Sequence, residues 1–148
     1  MDQIRITGEL KIEVHNVDGS LADERRVRNL VTAVGKSVIA ARLGSATPAF
    51  NIMSYMGVGT SSTAAASGDT ALGAEIAGSR TALTSTTVSG NQVQYICTFP
   101  AGVGTGSITE AGLFDAANTG NMLAHAVFNA VVKGSTQPMT VTWTVTLN

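Results

Sequence analysis

Thr140-Val141-Thr142-Trp143-Thr144-Val145-Thr146-Leu147, near the end of the chain, decides the fold class. The alternation is strict: Val141, Trp143, Val145 and Leu147 point one way and four threonines the other, the two-residue period of a half-buried strand. Working back from it, Gln92 to Phe99 repeats the pattern, with Val93, Tyr95, Cys97 and Phe99 on one face. Met122 to Val132, Ile108 to Phe114 and Ile52 to Gly59 read as further strands. They are separated by turn signals at Ala117 to Gly120, at Ser89-Gly90-Asn91 and through Pro100, Gly102, Gly104 and Gly106. Thr60 to Leu72 reads as a small-residue loop, and Glu75 to Thr87 is ambiguous but β-branched towards its end. Trp143, Val145, Val93, Tyr95 and Phe99 are expected in one core.

At the other end of the chain, Ile4, Ile6, Leu10, Ile12 and Val14 alternate with Arg5, Glu9, Lys11 and Glu13, which predicts two short strands broken at Gly8. Asp18-Gly19 marks a turn. One long α-helix is predicted near residues 21–43. Ser20 is its N-cap, with Asp23 three residues on as a weak capping box and Glu24 beside it. Val27, Leu30, Val31, Val34, Val38 and Leu43 approximate its apolar stripe, Arg42 lies in its last turn and Gly44 ends it. Gly35, inside that helix, costs about 1 kcal/mol relative to Ala and would permit close packing on a sheet or a kink. The sequence thus predicts a mainly β, β-sandwich or jelly-roll-like domain over 1–148. Its N-terminal strand pair and helix (1–44) pack on a β-sandwich (50–148).

Charge is sparse and unevenly placed. Charged residues make up 13% of the 148, with a net charge of -1, too neutral for a nucleic-acid or anionic-membrane partner. Residues 1–44 hold seven of the nine basic and six of the ten acidic side chains. The remaining 104 residues hold Asp69, Glu75, Arg80, Glu110, Asp115 and Lys133. So little charge on a folded domain implies that much of its surface is covered. The N-terminus Met1-Asp2-Gln3-Ile4-Arg5 is charged and shows no signal-peptide hydrophobic region, which points to cytoplasmic synthesis, and no apolar run approaches the roughly 20 residues of a membrane span.

Few residues invite chemistry. His15 and His125 lack a second ligand at zinc spacing. No Gly-x-Ser-x-Gly elbow accompanies the many serines, and the single Cys97 sits on an apolar strand face. Gly57-Val58-Gly59-Thr60 and Gly102-Val103-Gly104-Thr105-Gly106 lack the phosphate-loop lysine and read as turns and bulges at strand ends. No catalytic, metal or cofactor residues are expected. The candidate partner-binding residues are Arg5, Glu9, Lys11 and Glu13, with the basic cluster Arg25, Arg26 and Arg28; a solvated strand pair and a solvated helix start are their plainer readings.

Several motifs, in order, resemble a family of small tailed-bacteriophage virion structural proteins. These are Glu24-Arg25-Arg26-Val27-Arg28-Asn29-Leu30-Val31-Thr32 and Gly35-Lys36, then Tyr55-Met56-Gly57-Val58-Gly59-Thr60. Gly68-Asp69-Thr70-Ala71-Leu72-Gly73-Ala74-Glu75, Phe99-Pro100-Ala101-Gly102 and Ile108-Thr109-Glu110-Ala111-Gly112-Leu113-Phe114-Asp115 follow. Met122-Leu123-Ala124-His125-Ala126-Val127-Phe128 and the Thr/Val C-terminal strand complete the set, which spans roughly residues 5–148. The resemblance implies a non-enzymatic role in a phage particle. Single-domain length favours a capsid decoration (cement) protein on the outer surface of the head, binding the major capsid protein. The alternative is a tail, baseplate or tail-fibre-associated adaptor that binds tail proteins. Self-association is expected, a trimer before a dimer, and truncation of residues 1–15 is expected to weaken shell binding more than folding.

Overall fold

The computed structural model describes residues 3–148; Met1 and Asp2, counted above in the charged N-terminus, lie outside the described residues. In chain order the elements are β1 (Ile6–His15), β2 (Leu21–Arg28), β3 (Leu30–Val31), α1 (Ala33–Gly44), β4 (Tyr55–Gly59) and β5 (Thr81–Ala82). Then follow β6 (Ser85–Ser89), β7 (Gln92–Phe99), β8 (Gly106–Phe114), β9 (Met122–Lys133) and β10 (Met139–Leu147). They form two antiparallel five-stranded sheets, in the orders β2-β1-β10-β7-β6 and β3-β9-β8-β4-β5. The domain is mainly β and sandwich-like, as the alternating strands require.

The first sheet carries the alternation. Leu10, Ile12 and Val14 of β1 stand opposite Trp143, Val141 and Met139 of β10, which in turn face Tyr95, Cys97 and Phe99 of β7. All of these belong to one core with Met56, Val58, Ile108, Leu113, Leu123 and Val131 of the second sheet, and Val93 packs at its margin. Trp143 is fully buried, and its indole N–H donates to Asn29 Oδ1 at 2.8 Å. The Asn29 amide occupies the space that a Cβ on Gly8 would need, so Gly8 lets the indole's partner reach it. β1 consequently runs unbroken through Gly8, where the sequence predicted two short strands.

The long helix requires a larger correction. Residues 21–28 form strand β2, and α1 begins at Ala33. The residues 16–20 turn, with Gly19 at φ 88°, folds β2 back on β1 as a hairpin. Ser20 serves that turn, its backbone N–H donating to Asp18 Oδ1 at 2.9 Å, and is not a helix cap. Asp23 and Glu24 lie in the strand. The N-cap is Thr32, whose side chain accepts from Gly35 N–H at 2.9 Å while its hydroxyl donates to the Met122 carbonyl at 2.7 Å. Arg42 does lie in the last turn. Gly35 is buried, and a Cβ there would collide with the Leu123 backbone, so it permits the close approach of α1 to β9.

The centre of the second sheet is buried on both faces. Its outer face is crossed by the segment 60–80, which covers a small cluster of Leu72, Phe114 and Met122 with Tyr55 alongside. That cover explains why Glu110–Phe114 of β8 and Met122–Ala126 of β9 are buried without interruption, while the far half of β9 is partly exposed.

Candidate functional site

The crossing segment is anchored by buried charge. Glu110 and His125 are diagonal neighbours on adjacent strands: Glu110 pairs with Val127 and Gly112 with His125. Both side chains turn away from the main core, towards the segment 60–80. Glu110 has no solvent exposure, and its carboxylate accepts from the backbone N–H groups of Ala74 (2.7 Å), Gly73 (2.8 Å) and Ser61 (3.1 Å). It also meets His125 Nε2 at 2.9 Å. The other imidazole nitrogen, Nδ1, lies 2.8 Å from Asp69 Oδ2, and that same oxygen accepts from Ala66 N–H at 2.8 Å. One histidine therefore bridges two carboxylates, and both carboxylates hold the same backbone segment.

The electrostatics follow from these bonds. The Ala66 N–H and His125 hold the Asp69 carboxyl below its usual range. Burial pushes Glu110 up, but the N–H groups of Ala74, Gly73, His125 and Ser61 together outweigh it, so its carboxyl is also lowered. Gly59 and Gly73 make room for this packing: a Cβ on Gly59 would strike the Glu110 carboxylate and the Ala74 carbonyl, and one on Gly73 would strike Ser61. Gly57 and Gly59 lie in β4, as the Ile52–Gly59 strand reading expected, Gly59 at its end facing Glu110 and Gly57 facing Glu75 and Arg80, so neither forms a turn. Gly102 and Gly104 do sit in a turn with positive φ.

A second anchor stands beside it. Arg80 pairs with Glu75 through two bonds, Nη2 to Oε1 at 2.8 Å and Nε to Oε2 at 3.0 Å. Its Nη1 donates to the carbonyls of Ala116 (2.8 Å) and Thr119 (3.1 Å), and the guanidinium lies 3.5 Å over the Phe114 ring. Asp115 accepts from the Asn121 backbone N–H at 2.7 Å and from its side-chain amide at 3.0 Å. Lys133 is buried and donates to the Pro100 carbonyl at 3.0 Å; burial draws its ammonium below the usual lysine range. All six charged residues of 45–148 are thus committed to internal bonds.

This cluster is suited to holding backbone. Each imidazole nitrogen faces a carboxylate, which leaves neither free to activate a hydroxyl or thiol. Cys97 lies on the core side of β7, fully buried, with its thiol pushed up to about 12 by burial. Among the described residues no group of three His, Cys, Asp or Glu side chains is placed to hold a metal ion.

The candidate partner-binding residues fall in three places. Glu9, Lys11 and Glu13 of β1 and Arg26 and Arg28 of β2 share the outer face of the first sheet, with Glu24 among them. Directly opposed pairs there are partly alike, Lys11 with Arg26 and Glu13 with Glu24, while the diagonals Glu9–Arg26, Lys11–Glu24 and Glu13–Arg26 are opposite in sign. The ion pairs accordingly run off the rungs: Arg26–Glu9 at 3.4 Å, Lys11–Glu13 at 3.6 Å, and Lys11–Glu24 and Arg26–Glu24 at 3.8 Å. Arg25 points to the opposite face, paired with Asp23 at 3.1 Å and reaching the Ala130 carbonyl of β9. Arg5 precedes β1 and is joined to Asn148 by two backbone hydrogen bonds. The sequence assigned no role to Asp69, Glu110 and His125, although the motifs of the family resemblance contain all three. Their signal was isolation, since an ionisable residue inside a long uncharged stretch needs a specific partner. Comparison of the chain with protein-family models, with curated proteins and with solved structures finds no match.

Proposed function

We propose that this protein is a non-enzymatic structural component of a phage particle, a decoration protein that binds the major capsid protein on the outer surface of the head. The observation that carries the reading is the commitment of every charge in residues 45–148 to internal bonds. Apart from Glu75, which is exposed but held by Arg80, it leaves exposed charge to the β1–β2 face, α1 and their flanking turns, and a nearly neutral remainder suited to burial against neighbouring subunits. The family resemblance supports the same role, and so does a buried histidine whose two nitrogens are both occupied. The charged face of Glu9, Lys11, Glu13, Arg26 and Arg28 is the surface offered to the shell. A subunit that binds only assembled shell stabilises it by RT ln(1 + [L]/Kd) per site, multiplied over the lattice.

Particles stripped of the protein should break at lower temperature or milder osmotic shock, and adding purified protein should restore them. Stripped particles of full stability would reject the cement role. Recovery of the protein only in tail fractions would favour an adaptor bound to tail or baseplate proteins.

A further inference from the structure

We propose that the free edge of β6 pairs with β6 of a second copy of this chain about a two-fold axis, closing an apolar groove beside that edge. The inference deepens the self-association expected above but does not depend on a particle. The first sheet has two edges. One is β2, guarded by Asp23, Glu24, Arg25, Arg26 and Arg28; the other is β6, Ser85-Thr86-Thr87-Val88-Ser89, exposed at every residue and without charge or proline. An unguarded edge offers unpaired backbone groups to another strand.

The sequence of the edge fits its own copy. Antiparallel pairing centred on Thr87 sets Thr87 against Thr87, Thr86 against Val88 and Ser85 against Ser89. These β-branched and hydroxyl pairs suit neighbouring strands. The 29 residues from Thr81 to Thr109 contain no Asp, Glu, Lys, Arg or His, so two such edges meet without like-charge repulsion. The edge itself gives a charged partner nothing to pair with, and the one charge lining the groove beside it, Arg42, donates to the Phe50 carbonyl at 2.8 Å.

The groove supplies area. It encloses ≈ 490 Å³ between α1 and the β7–β6 side of the first sheet, with Thr86 and Val88 at its lip. Leu43 (86% exposed), Val88 (73%), Ile52 (65%) and Leu147 (42%) line it. At these exposures the four present on the order of 500 Å² of apolar surface per copy, near the upper end for an ordinary monomer. A two-fold axis perpendicular to the sheet keeps both grooves on one side, so that they abut across the paired strands. Doubled, and with the exposed β6 strands added, the surface on offer is enough for the roughly 1,200 Å² of a small specific interface. A trimer, favoured on sequence, would need β6 to meet a different edge, and β2 is charged.

Sedimentation equilibrium of the purified chain from micromolar to submillimolar concentration tests the pairing. The wild type should show a monomer–dimer equilibrium, and Val88→Lys should weaken Kd about tenfold or more. Because Val88 is exposed in one copy, circular dichroism and thermal unfolding of that variant at low concentration should match wild type. Thr87→Cys should form a disulfide-linked dimer on oxidation, since facing residues of antiparallel strands lie about 4.5–5.5 Å apart at Cα, within disulfide reach. A monomer at all concentrations, a trimer, a dimer indifferent to Val88→Lys, or failure of Thr87→Cys to cross-link would each overturn the proposal. None of those results bears on binding to the head, which is read separately on particles.

Discussion

Glu110 is a carboxylate without solvent, stable because four N–H groups converge on it. Glu110→Gln replaces one acceptor oxygen by a donor, so at least one buried N–H must lose its partner. The expected loss is about 3–5 kcal/mol, the range for breaking a buried charged pair from one side, measured by urea denaturation. The same site sets the acid response. Asp69 and Glu110 are both lowered in the folded state, so the unfolded chain takes up their protons first. Their stabilisation is complete above the ordinary carboxylate range, about pH 4–5, and is lost as pH falls through the lowered folded values. The melting temperature should therefore drop on acidification below that range, less steeply in Glu110→Gln; a melting temperature that rises between pH 6 and pH 3 would contradict the assignment. Trp143→Ala, which empties the centre of the main core and orphans Asn29, should cost about 3–5 kcal/mol.

At the scale of elements, Thr32 starts α1 and ties it to β9 through the Met122 carbonyl. Thr32→Ala should cost about 1–2 kcal/mol by chemical denaturation, and an unchanged midpoint would refute the cap. The legible elements were those whose two faces differ. β7 and β10 each have one face in the core and one in water, so their alternation showed in the residues themselves. β2 was illegible for the opposite reason: as an edge strand its inward positions are Asp23, Arg25 and Val27, and two of these three are charged. Without an apolar rhythm, the valines and leucines that follow extended a helical stripe backwards over it. Pairing with β1 across the Asp18-Gly19 turn settled the conformation, an effect of context that local propensity does not contain. Thr60 to Leu72 reads as loop and is loop, whereas Glu75 to Thr87 is ambiguous in sequence and carries the end of the crossing segment, β5 and the start of β6. The bonds that pin the crossing segment were hidden because Asp69, Glu110 and His125 are far apart in sequence and meet only across β8 and β9.

Across the whole molecule, the two ends of the chain close the first sheet. β1 runs antiparallel to β10 from Ile6–Leu147 to Val14–Met139, with β2 on its other side. Leu10, Ile12 and Val14 are essentially inaccessible, so β1 is an interior strand and not a detachable arm. Truncating residues 1–15, expected from sequence to weaken shell binding more than folding, should instead leave β10 and the Trp143 side of the core uncovered. Each buried aliphatic side chain removed forfeits about 1.5–3 kcal/mol of burial, and three together approach the whole stability of a domain this size. The truncated chain should show no cooperative thermal transition and should bind a dye for exposed apolar surface; a cooperative transition near the wild-type temperature would refute this placement of β1. Shell binding is better tested by charge. Lys11→Glu and Arg26→Glu act on side chains whose ion pairs are exposed, so each should change stability by no more than about 1 kcal/mol. Any larger loss of particle binding in these variants then belongs to the face itself, because β1 stays paired on both sides and β2 keeps its pairing with β1.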